Sequence, residues 1–206
     1  MKISLTDCGK RFNRDWIFRR FSYEFLPGQT YAITGPNGSG KSTLLQVIGG
    51  AIVNSEGTIS YTGDDGHEIA VEDAYRHLAI AAPYLEVIEE MNLLEFLDFH
   101  RQFKPFIKDV PVAAAIEMAG LTGSSHKQIR YYSSGMKQRV KLIQAIFSDV
   151  PCLLLDEPCT NLDSEGIGFY LRLINEFGNH RTIVVSSNDQ QEYSFCKNLL
   201  KITDYK

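Results

Sequence analysis

The chain has 206 residues, 44% of them hydrophobic and 22% charged, a composition that suits one globular domain with a substantial core. The formal net charge of −4 argues against a nucleic-acid partner, because proteins that bind nucleic acid usually carry a basic footprint. The apolar runs are shorter than the ~20 residues that cross a bilayer, and the first residues lack the apolar stretch of a signal peptide. The four cysteines show no CxxC pair or metal-ligand spacing, so we expect free thiols in a reducing cytoplasm.

The N-terminal part of the chain is predicted to form antiparallel strands. The segments KISLTD, WIFRRFSYEF and GTISY alternate apolar with polar residues, a pattern typical of strands with one buried face. Between residues 83 and 132 the pattern becomes helical, and the best candidates are helices at 92–103 and 112–119. Asn92 can cap the first of these, with Glu95 three residues later completing a capping box.

Three apolar runs are predicted to form a largely parallel sheet. Each run is short and precedes a helical stretch, and strands that alternate with helices indicate βαβ units. The sequence therefore predicts one α/β domain over residues 1–206, with a core of 1–84 and 133–206 and a helical subdomain at about 85–132. The predicted strand and helix pairs are 30–34 with a helix from Lys41, 151–158 with 164–177, and 181–187 with 190–196.

A glycine-rich loop joins the first of these strands to its helix. GPNGSGKST fits the GxxxxGK[ST] pattern in the strand-to-helix context that makes this motif specific. Glycines let backbone N–H groups wrap phosphates, and the helix N-terminus adds partial positive charge. Lys41 can reach the β and γ phosphates, while the Ser42 hydroxyl suits Mg²⁺. The motif predicts a P-loop NTPase fold that binds a nucleoside triphosphate. The nucleotide-binding residues are Gly35, Pro36, Asn37, Gly38, Ser39, Gly40, Lys41, Ser42 and Thr43.

Two carboxylates follow the second apolar run. Asp156 and Glu157 stand at the carboxyl end of this predicted strand, which is the end where α/β sheets bind ligands. Asp156 can hold Mg²⁺ through water, and Glu157 can orient or deprotonate an attacking water. These residues are the candidate metal ligand and the candidate catalytic base.

With these motifs the sequence resembles the ATP-binding subunits of ABC transporters over nearly the whole chain. YSSGMKQR, residues 132–139, stands where that family has its LSGGQ signature, and LLLDEPCTNLD, residues 153–163, matches its joined magnesium-site and D-loop segment. The small size resembles single-domain subunits of the haem-exporter type. The resemblance implies that ATP and Mg²⁺ bind between two ATPase subunits, in a homodimer or heterodimer, and that an integral membrane subunit is a further partner. It also implies a location at the inner face of the cell membrane.

The resemblance implies roles for four residues near the signature. Ser133, Ser134 and Gly135 would open a helix whose N–H groups and hydroxyls face the ATP of a second chain. Asp163 would lie at the dimer interface. Further along the signature helix, Lys137 and Lys141 share one face, and we expect that face to be solvated.

An aromatic side chain upstream of the phosphate loop is expected to stack on adenine. Phe12 stands where the family places this aromatic, with Trp16 as the alternative. Stacking tolerates different bases and is worth about 1–3 kcal/mol. Packing in the core is the other interpretation of a lone aromatic residue.

Two positions depart from the family pattern. Asn188 stands where the family has a histidine that contacts the γ phosphate, and its amide cannot become cationic. Tyr84 replaces a glutamine whose carbonyl could bind Mg²⁺ and position water. The sequence therefore predicts an ATPase that couples dimer closure to transport, with slow hydrolysis. The alternative is a regulatory or assembly subunit that binds ATP without significant hydrolysis.

Surface aromatic and aliphatic residues are predicted to bind the membrane subunit. The segment 92–103 is apolar on more than one face, including Phe99 and Phe103. Packing within the helical subdomain explains most of these residues. The resemblance implies that part of this face, with the loop at 84–92, grips a cytoplasmic helix of the membrane subunit.

Overall fold

The computed structural model describes residues 1–108 and 110–206. The chain forms two compact units, which we call the sheet unit (Met1–Ile80, Pro151–Asp156 and His180–Lys206) and the helical unit (Ala81–Val150 and Glu157–Asn179). The strands and α-helices of the described residues are β1 (Lys2–Phe12), β2 (Asp15–Phe25), β3 (Thr30–Thr34), α1 (Lys41–Ile48), β4 (Glu56–Thr62), β5 (Glu68–Ile69), β6 (Leu78–Ala81), α2 (Leu93–Arg101), α3 (Val112–Met118), α4 (Ser134–Phe147), β7 (Cys152–Asp156), α5 (Ser164–Phe177), β8 (Thr182–Ser186) and β9 (Asn198–Lys201).

An antiparallel sheet in the order β2-β1-β4-β5 forms the N-terminal part of the sheet unit. β1 pairs with β2 and β4, and β4 pairs with β5, in each case antiparallel. Phe18, Phe21 and Phe25 of β2 are fully buried and pack with aliphatic side chains in the core of this unit. The prediction of an antiparallel N-terminal part is confirmed.

A second sheet, in the order β6-β7-β8-β3-β9, contains the parallel strands. β7 pairs with β8, β8 with β3, and β3 with β9, all in parallel. Every residue of β7 and β8 is buried, which explains why both sequences are largely apolar. Asp156 lies opposite Ser186, and Ser186 lies opposite Ile33, so the carboxyl ends of three strands meet at one edge. The predicted α/β fold is confirmed.

The helical unit contains α2 to α5. Asn92 caps α2 as predicted, because its side chain accepts from the Glu95 N–H at 3.0 Å while the Glu95 carboxylate accepts from the Asn92 N–H at 2.9 Å. Helix α4 packs against α2, α3 and α5. The predicted helical segment 85–132 lies in this unit, which also includes α4 and α5.

A half-buried histidine joins α2 to α4. The side-chain amide of Gln144 donates to Nδ1 of His100 at 3.1 Å, and Nε2 of the same ring lies 2.9 Å from Oγ of Ser148. This arrangement fits a neutral imidazole that carries its proton on Nε2. Burial and, to a smaller extent, the nearby charge of Lys104 lower the pKa of His100 to about 4.

The segment after β8 differs from the predicted helix at 190–196. The structure has a single 3-10 turn, Gln190–Tyr193, which begins where Oδ1 of Asp189 accepts from the Gln191 N–H at 2.9 Å. The chain must then extend to reach β9, so the helix prediction is wrong there. Apolar spacing in so short a segment does not distinguish one turn from a helix. β6 and β9 have four residues each. Segments this short carry too little periodicity to be assigned from the sequence, and neither strand was predicted.

No helix within residues 1–108 and 110–206 has both the length and the apolar character that a bilayer crossing requires. All four cysteines are free thiols, as predicted. Burial raises the pKa of Cys8 to about 11 and the pKa values of Cys152 and Cys196 to about 12. These three thiols therefore remain protonated near neutral pH and are poor nucleophiles.

Candidate functional site

The loop between β3 and α1 depends on glycine at two positions. Gly35 has φ 150°, and a Cβ there would lie 2.9 Å from Oγ of Ser39. Gly40 has φ 101°, and a Cβ there would overlap the Cγ2 methyl of Ile17. Gly40 also stands at the N-terminus of α1, where no side chain caps the helix. The first N–H groups of α1 therefore have no side-chain acceptor and suit a phosphate.

Lys41 is the buried cation of this loop. It is 4% exposed, and its Nζ donates to the carbonyl oxygens of Gly35 at 2.9 Å and Pro36 at 3.2 Å. Carbonyl dipoles compensate a buried ammonium only in part. A phosphate oxygen forms a shorter and stronger, charge-assisted bond with the same group. The loop thus holds a positive charge ready for an anionic ligand.

Side chains from β7 and β8 lie at the same sheet edge as this loop. Asp156 ends β7 and is 1% exposed. After β8, the Ser187 N–H donates to the Ile33 carbonyl at 3.1 Å, which extends the pairing of β8 with β3 by one residue. Asn188 follows, and its Nδ2 donates to Oδ1 of Asn37 at 2.9 Å. The structure therefore brings Asn188 into contact with the phosphate loop.

The oxygen atoms at this edge fit a magnesium ion. Ser42 supplies a hydroxyl in the first turn of α1, and Asp156 supplies a carboxylate at the end of β7. Throughout residues 1–108 and 110–206, no three His, Cys, Asp or Glu side chains gather in a way that could hold a metal ion. Mg²⁺ is usually held by one or two protein oxygens together with substrate phosphates rather than by such a cluster. The available residues fit that mode of binding.

Phe12 and Trp16 differ in how much of each ring is covered. Phe12 is 47% exposed, and its charged neighbour is the Lys10 ammonium, 5.0 Å from the ring centroid. The guanidinium of Arg19 lies 4.1 Å from the Trp16 centroid, and that of Arg11 lies at 5.5 Å. Cation–π contacts of this kind cover part of the face that a base needs. Phe12 has one such contact and is exposed, whereas Trp16 has two and is half-buried, so Phe12 is the more available ring.

Glu157 and Tyr84 lie in the helical unit, each in a segment that α4 holds. Glu157 adopts φ 41° immediately after β7. The next residue, Pro158, has its carbonyl bound by Nε2 of Gln138 at 2.7 Å, in a buried contact. Tyr84 is 44% exposed near the start of residues 82–91, which we call the Tyr84 loop.

The signature residues surround a cavity of about 470 Å³ in the helical unit. Oγ of Ser133 accepts from the Met136 N–H at 3.2 Å and caps α4. A Cβ on Gly135 would lie 2.9 Å from the Asn161 carbonyl, so glycine permits the close approach of two backbone segments. Asp163 accepts from the Gly166 N–H and caps α5. The structure therefore brings the predicted signature residues and Asp163 together. The cavity is lined by Gly120, Leu121, Ser124, Ser133, Ser134, Gly135, Met136, Arg139, Asn161, Leu162 and Asp163.

Arg139 lines the same cavity and was not predicted as a site residue. Its guanidinium donates to the Ala119 carbonyl at 3.1 Å and lies 3.5 Å from the Glu165 carboxylate. Its side chain is 18% exposed, so these contacts hold it at the cavity wall. Arg139 is four residues after Gly135, a spacing that places both on one helix face, and this spacing is the signal that could have identified it.

A phosphate loop and a carboxylate at the end of a nearby strand of the same sheet define a P-loop nucleotide-binding protein. The family model described as "ABC transporter" matches residues 18–160. The chain belongs to the ABC transporter family. As a member of that family it binds ATP and is an ATPase.

Similar proteins cover most of the chain. An uncharacterized ABC transporter ATP-binding protein of Bacillus subtilis, YybJ, is 30% identical over 202 residues, which are 94% of this chain and 89% of that protein. The cytochrome c biogenesis ATP-binding export protein CcmA of Xylella fastidiosa is 33% identical over 145 residues, covering 70% and 64% of the two chains. A bacterial ABC transporter cassette solved as a dimer matches with a TM-score of 0.79 at 22% identity, over 97% of this chain and 94% of that one, which shows the shared fold.

Proposed function

We propose that the chain is the ATP-hydrolysing subunit of an ABC transporter and couples closure of a cassette dimer to transport by a separate integral membrane subunit. The observation that carries this proposal is the signature cavity. Ser133 and Gly135 line it at the N-terminus of α4, and such a helix end suits a phosphate. We take this phosphate to belong to an ATP held by a second chain, which the dimer of a similar cassette supports.

One similar solved structure supports a dimeric assembly, and one similar protein supports a role in transport. The bacterial cassette was solved as a dimer, and CcmA is described as an export protein. In such an assembly, Ser133, Ser134 and Gly135 would contact the ATP of the second subunit, and Asp163 would meet that subunit. The second subunit is either another copy of this chain or a related cassette.

The phosphate loop of this chain holds its own ATP. The backbone N–H groups of the loop and of α1 surround the phosphates, and Lys41 exchanges its two carbonyl partners for phosphate oxygens. Phe12 stacks on adenine. Ser42 and Asp156 would hold the Mg²⁺ that accompanies ATP. The ion supplies neutralisation of the phosphate charge.

Hydrolysis is slow because Asn188 and Tyr84 stand where the resemblance implies a histidine that contacts the γ phosphate and a glutamine that positions water. Glu157 orients or deprotonates the attacking water. Asn188, held at the phosphate loop through Asn37, offers an amide N–H but no positive charge. Tyr84 offers a neutral phenol, which is a poor ligand for water and metal compared with an amide oxygen. Loss of one preorganised donor typically costs about 10²–10³ in rate.

The Tyr84 loop, part of α2 and the turn that follows α2 provide the surface for the membrane subunit. Leu85 and Ile88 are 39% and 38% exposed, and the Phe99 and Phe103 rings, 5.1 Å apart, are 38% and 69% exposed. Exposed apolar side chains of this size suit a hydrophobic helix face of a partner. The chain would then work at the inner face of the cell membrane, attached through that subunit.

ATP turnover of the purified protein, wild type beside Glu157→Gln, tests this proposal. ATP affinity is measured on the same samples. We expect turnover to disappear in the variant while affinity stays within about 2-fold, because Glu157 is not among the residues that hold the nucleotide. Tight ATP binding without Glu157-dependent turnover would instead support a regulatory or assembly subunit, and the replacements at Tyr84 and Asn188 are the observation that favours that alternative.

A further inference from the structure

Ser186 ends β8 on the face of the parallel sheet that α1 covers. Leu154 of β7 pairs with Val184 of β8, and two residues later Asp156 pairs with Ser186. Leu154 and Val184 belong to the core cluster that includes the apolar side chains of α1, and α1 packs against both strands. Because every second side chain of a strand lies on the same face, the side chains of Asp156 and Ser186 lie side by side on this face.

The hydroxyl of Ser186 is fully buried and, among the residues that the structure describes, has no hydrogen-bond partner. Other hydroxyls of β8 and its continuation have partners. Oγ1 of Thr182 donates to the Leu26 carbonyl at 3.2 Å, and Oγ of Ser187 accepts from the Asp189 N–H at 2.9 Å. A buried polar group without a partner costs free energy, and an apolar β-branched residue would suit this buried strand position better. The hydroxyl of Ser186 therefore indicates a polar ligand at this point of the sheet edge.

The Mg²⁺ that accompanies ATP suits this hydroxyl. Asp156 is its proposed ligand at the end of β7, and the proposed ligand Ser42 lies in the first turn of α1. Mg²⁺ dehydrates reluctantly and usually keeps several waters when it binds a protein. A serine hydroxyl can accept one hydrogen bond from such a water and donate another to a carboxylate or a second water. Ser186 has the chemistry and the position for this role.

We propose that Ser186 positions the hydration shell of this Mg²⁺ through its hydroxyl, next to Asp156. The inference rests on the proposed function, which assigns the ion to Ser42 and Asp156. Ser186 is a positioning residue, since it acts on the waters of the ion and on the carboxylate beside it. Outer partners of this kind typically contribute 10–100-fold to metal affinity. The hydroxyl thus strengthens metal binding and weakens the fold when ATP and metal are absent.

Ser186→Thr and Ser186→Val test this role, because the two new side chains have nearly the same shape and only threonine keeps a hydroxyl. Both are made in Glu157→Gln, so that ATP is not consumed. Protein is kept in excess over ATP, and Mn²⁺ is titrated while the electron paramagnetic resonance signal of the free ion reports binding. Ser186→Val should bind Mn²⁺ about 10-fold more weakly than Ser186→Thr. Without ATP and metal, Ser186→Val should unfold at the same temperature as Ser186→Thr or higher.

Equal Mn²⁺ affinity of these two variants would overturn the inference. A lower unfolding temperature of Ser186→Val would also overturn it, since the hydroxyl would then serve the fold. Ser186→Ala adds no atom and should show the same loss of Mn²⁺ affinity relative to the parent, which keeps the test valid if the larger side chains disturb packing.

Ser42→Ala tests the proposed metal site separately. This variant should weaken Mn²⁺ binding, because it removes a proposed ligand. If Ser42→Ala has no effect, the proposed site fails and the inference fails with it. If Ser42→Ala weakens binding while Ser186→Thr and Ser186→Val bind Mn²⁺ equally, only the role of Ser186 is overturned.

Discussion

Gly40→Ala should destabilise the chain far more than Gly38→Ala, although both glycines belong to the phosphate loop. Both have positive φ, 101° and 74°, and an L-residue in a left-handed conformation costs roughly 1–2 kcal/mol. Only the new Cβ at Gly40 would overlap another group, the Cγ2 methyl of Ile17, whereas Gly38 has no atom within 4 Å of the added Cβ. Overpacking of this kind adds about 1–3 kcal/mol to the cost at Gly40.

Thermal unfolding followed by circular dichroism measures this difference. For a chain of this size, 1 kcal/mol corresponds to about 2–4 °C, so Gly40→Ala should unfold roughly 2–12 °C below Gly38→Ala. Ile17→Ala removes the overlapping methyl. Combined with it, Gly40→Ala should cost about 1–2 kcal/mol less than alone, because contacting sites are not additive. Equal effects of the two glycine substitutions, or strict additivity with Ile17→Ala, would refute the reasoning.

Three further predictions concern the helical unit. Gln138→Leu leaves the buried Pro158 carbonyl without its donor, so urea titration should show about 1–3 kcal/mol lower free energy of unfolding. Phe103→Glu lies at an exposed ring, so it should change stability by less than about 0.5 kcal/mol yet prevent co-purification with membrane proteins from detergent extracts. His100→Gln should remove a loss of stability that the wild type shows as pH falls from 6.5 to about 4, since only unfolded chains protonate His100 in that window.

Each of these predictions has a matched control. Gln128→Leu changes an exposed glutamine and should leave the unfolding free energy unchanged; an equal loss in both variants would contradict the role given to Gln138. Phe103→Leu keeps an apolar side chain and should still co-purify, whereas loss of assembly in both variants would point to a need for the ring itself. His126→Gln changes an exposed histidine and should retain the wild-type pH slope. If the slope also persists in His100→Gln, another group causes it.

The parallel sheet could be predicted from the sequence because strands that are buried on both faces are nearly continuous apolar runs. The strands β3, β7 and β8 are short apolar runs, of which β3 and β7 precede α-helices, and the structure pairs β8 with both of the others. The glycine loop was recognisable for a related reason, since Gly35 and Gly40 occupy conformations that other residues rarely adopt. The apolar runs and the glycine positions both reflect constraints on neighbouring residues in the chain, so both can be recognised in a single sequence.

Contacts between distant segments could not be predicted. The sequence shows that Lys137 and Lys141 share a helix face, but not that both bind groups within residues 82–91, so the prediction of a solvated face is wrong. The bond between Asn188 and Asn37 also joins residues far apart in the chain. At 190–196, the spacing of apolar residues predicted a helix, whereas the structure has one 3-10 turn capped by Asp189. Tertiary packing decides each of these, and periodicity does not carry that information.

ATP turnover of Tyr84→Gln combined with Asn188→His, beside the wild type, tests the central claim most directly. The claim is that this cassette has intact residues for ATP binding but hydrolyses ATP slowly, because Tyr84 and Asn188 replace residues that support hydrolysis. The double variant should turn over ATP about 10²-fold faster with a similar ATP affinity, since the proposed function requires an amide oxygen at position 84 and a cationic donor at position 188 for fast hydrolysis. Turnover that stays at the wild-type rate, or falls, would contradict the account.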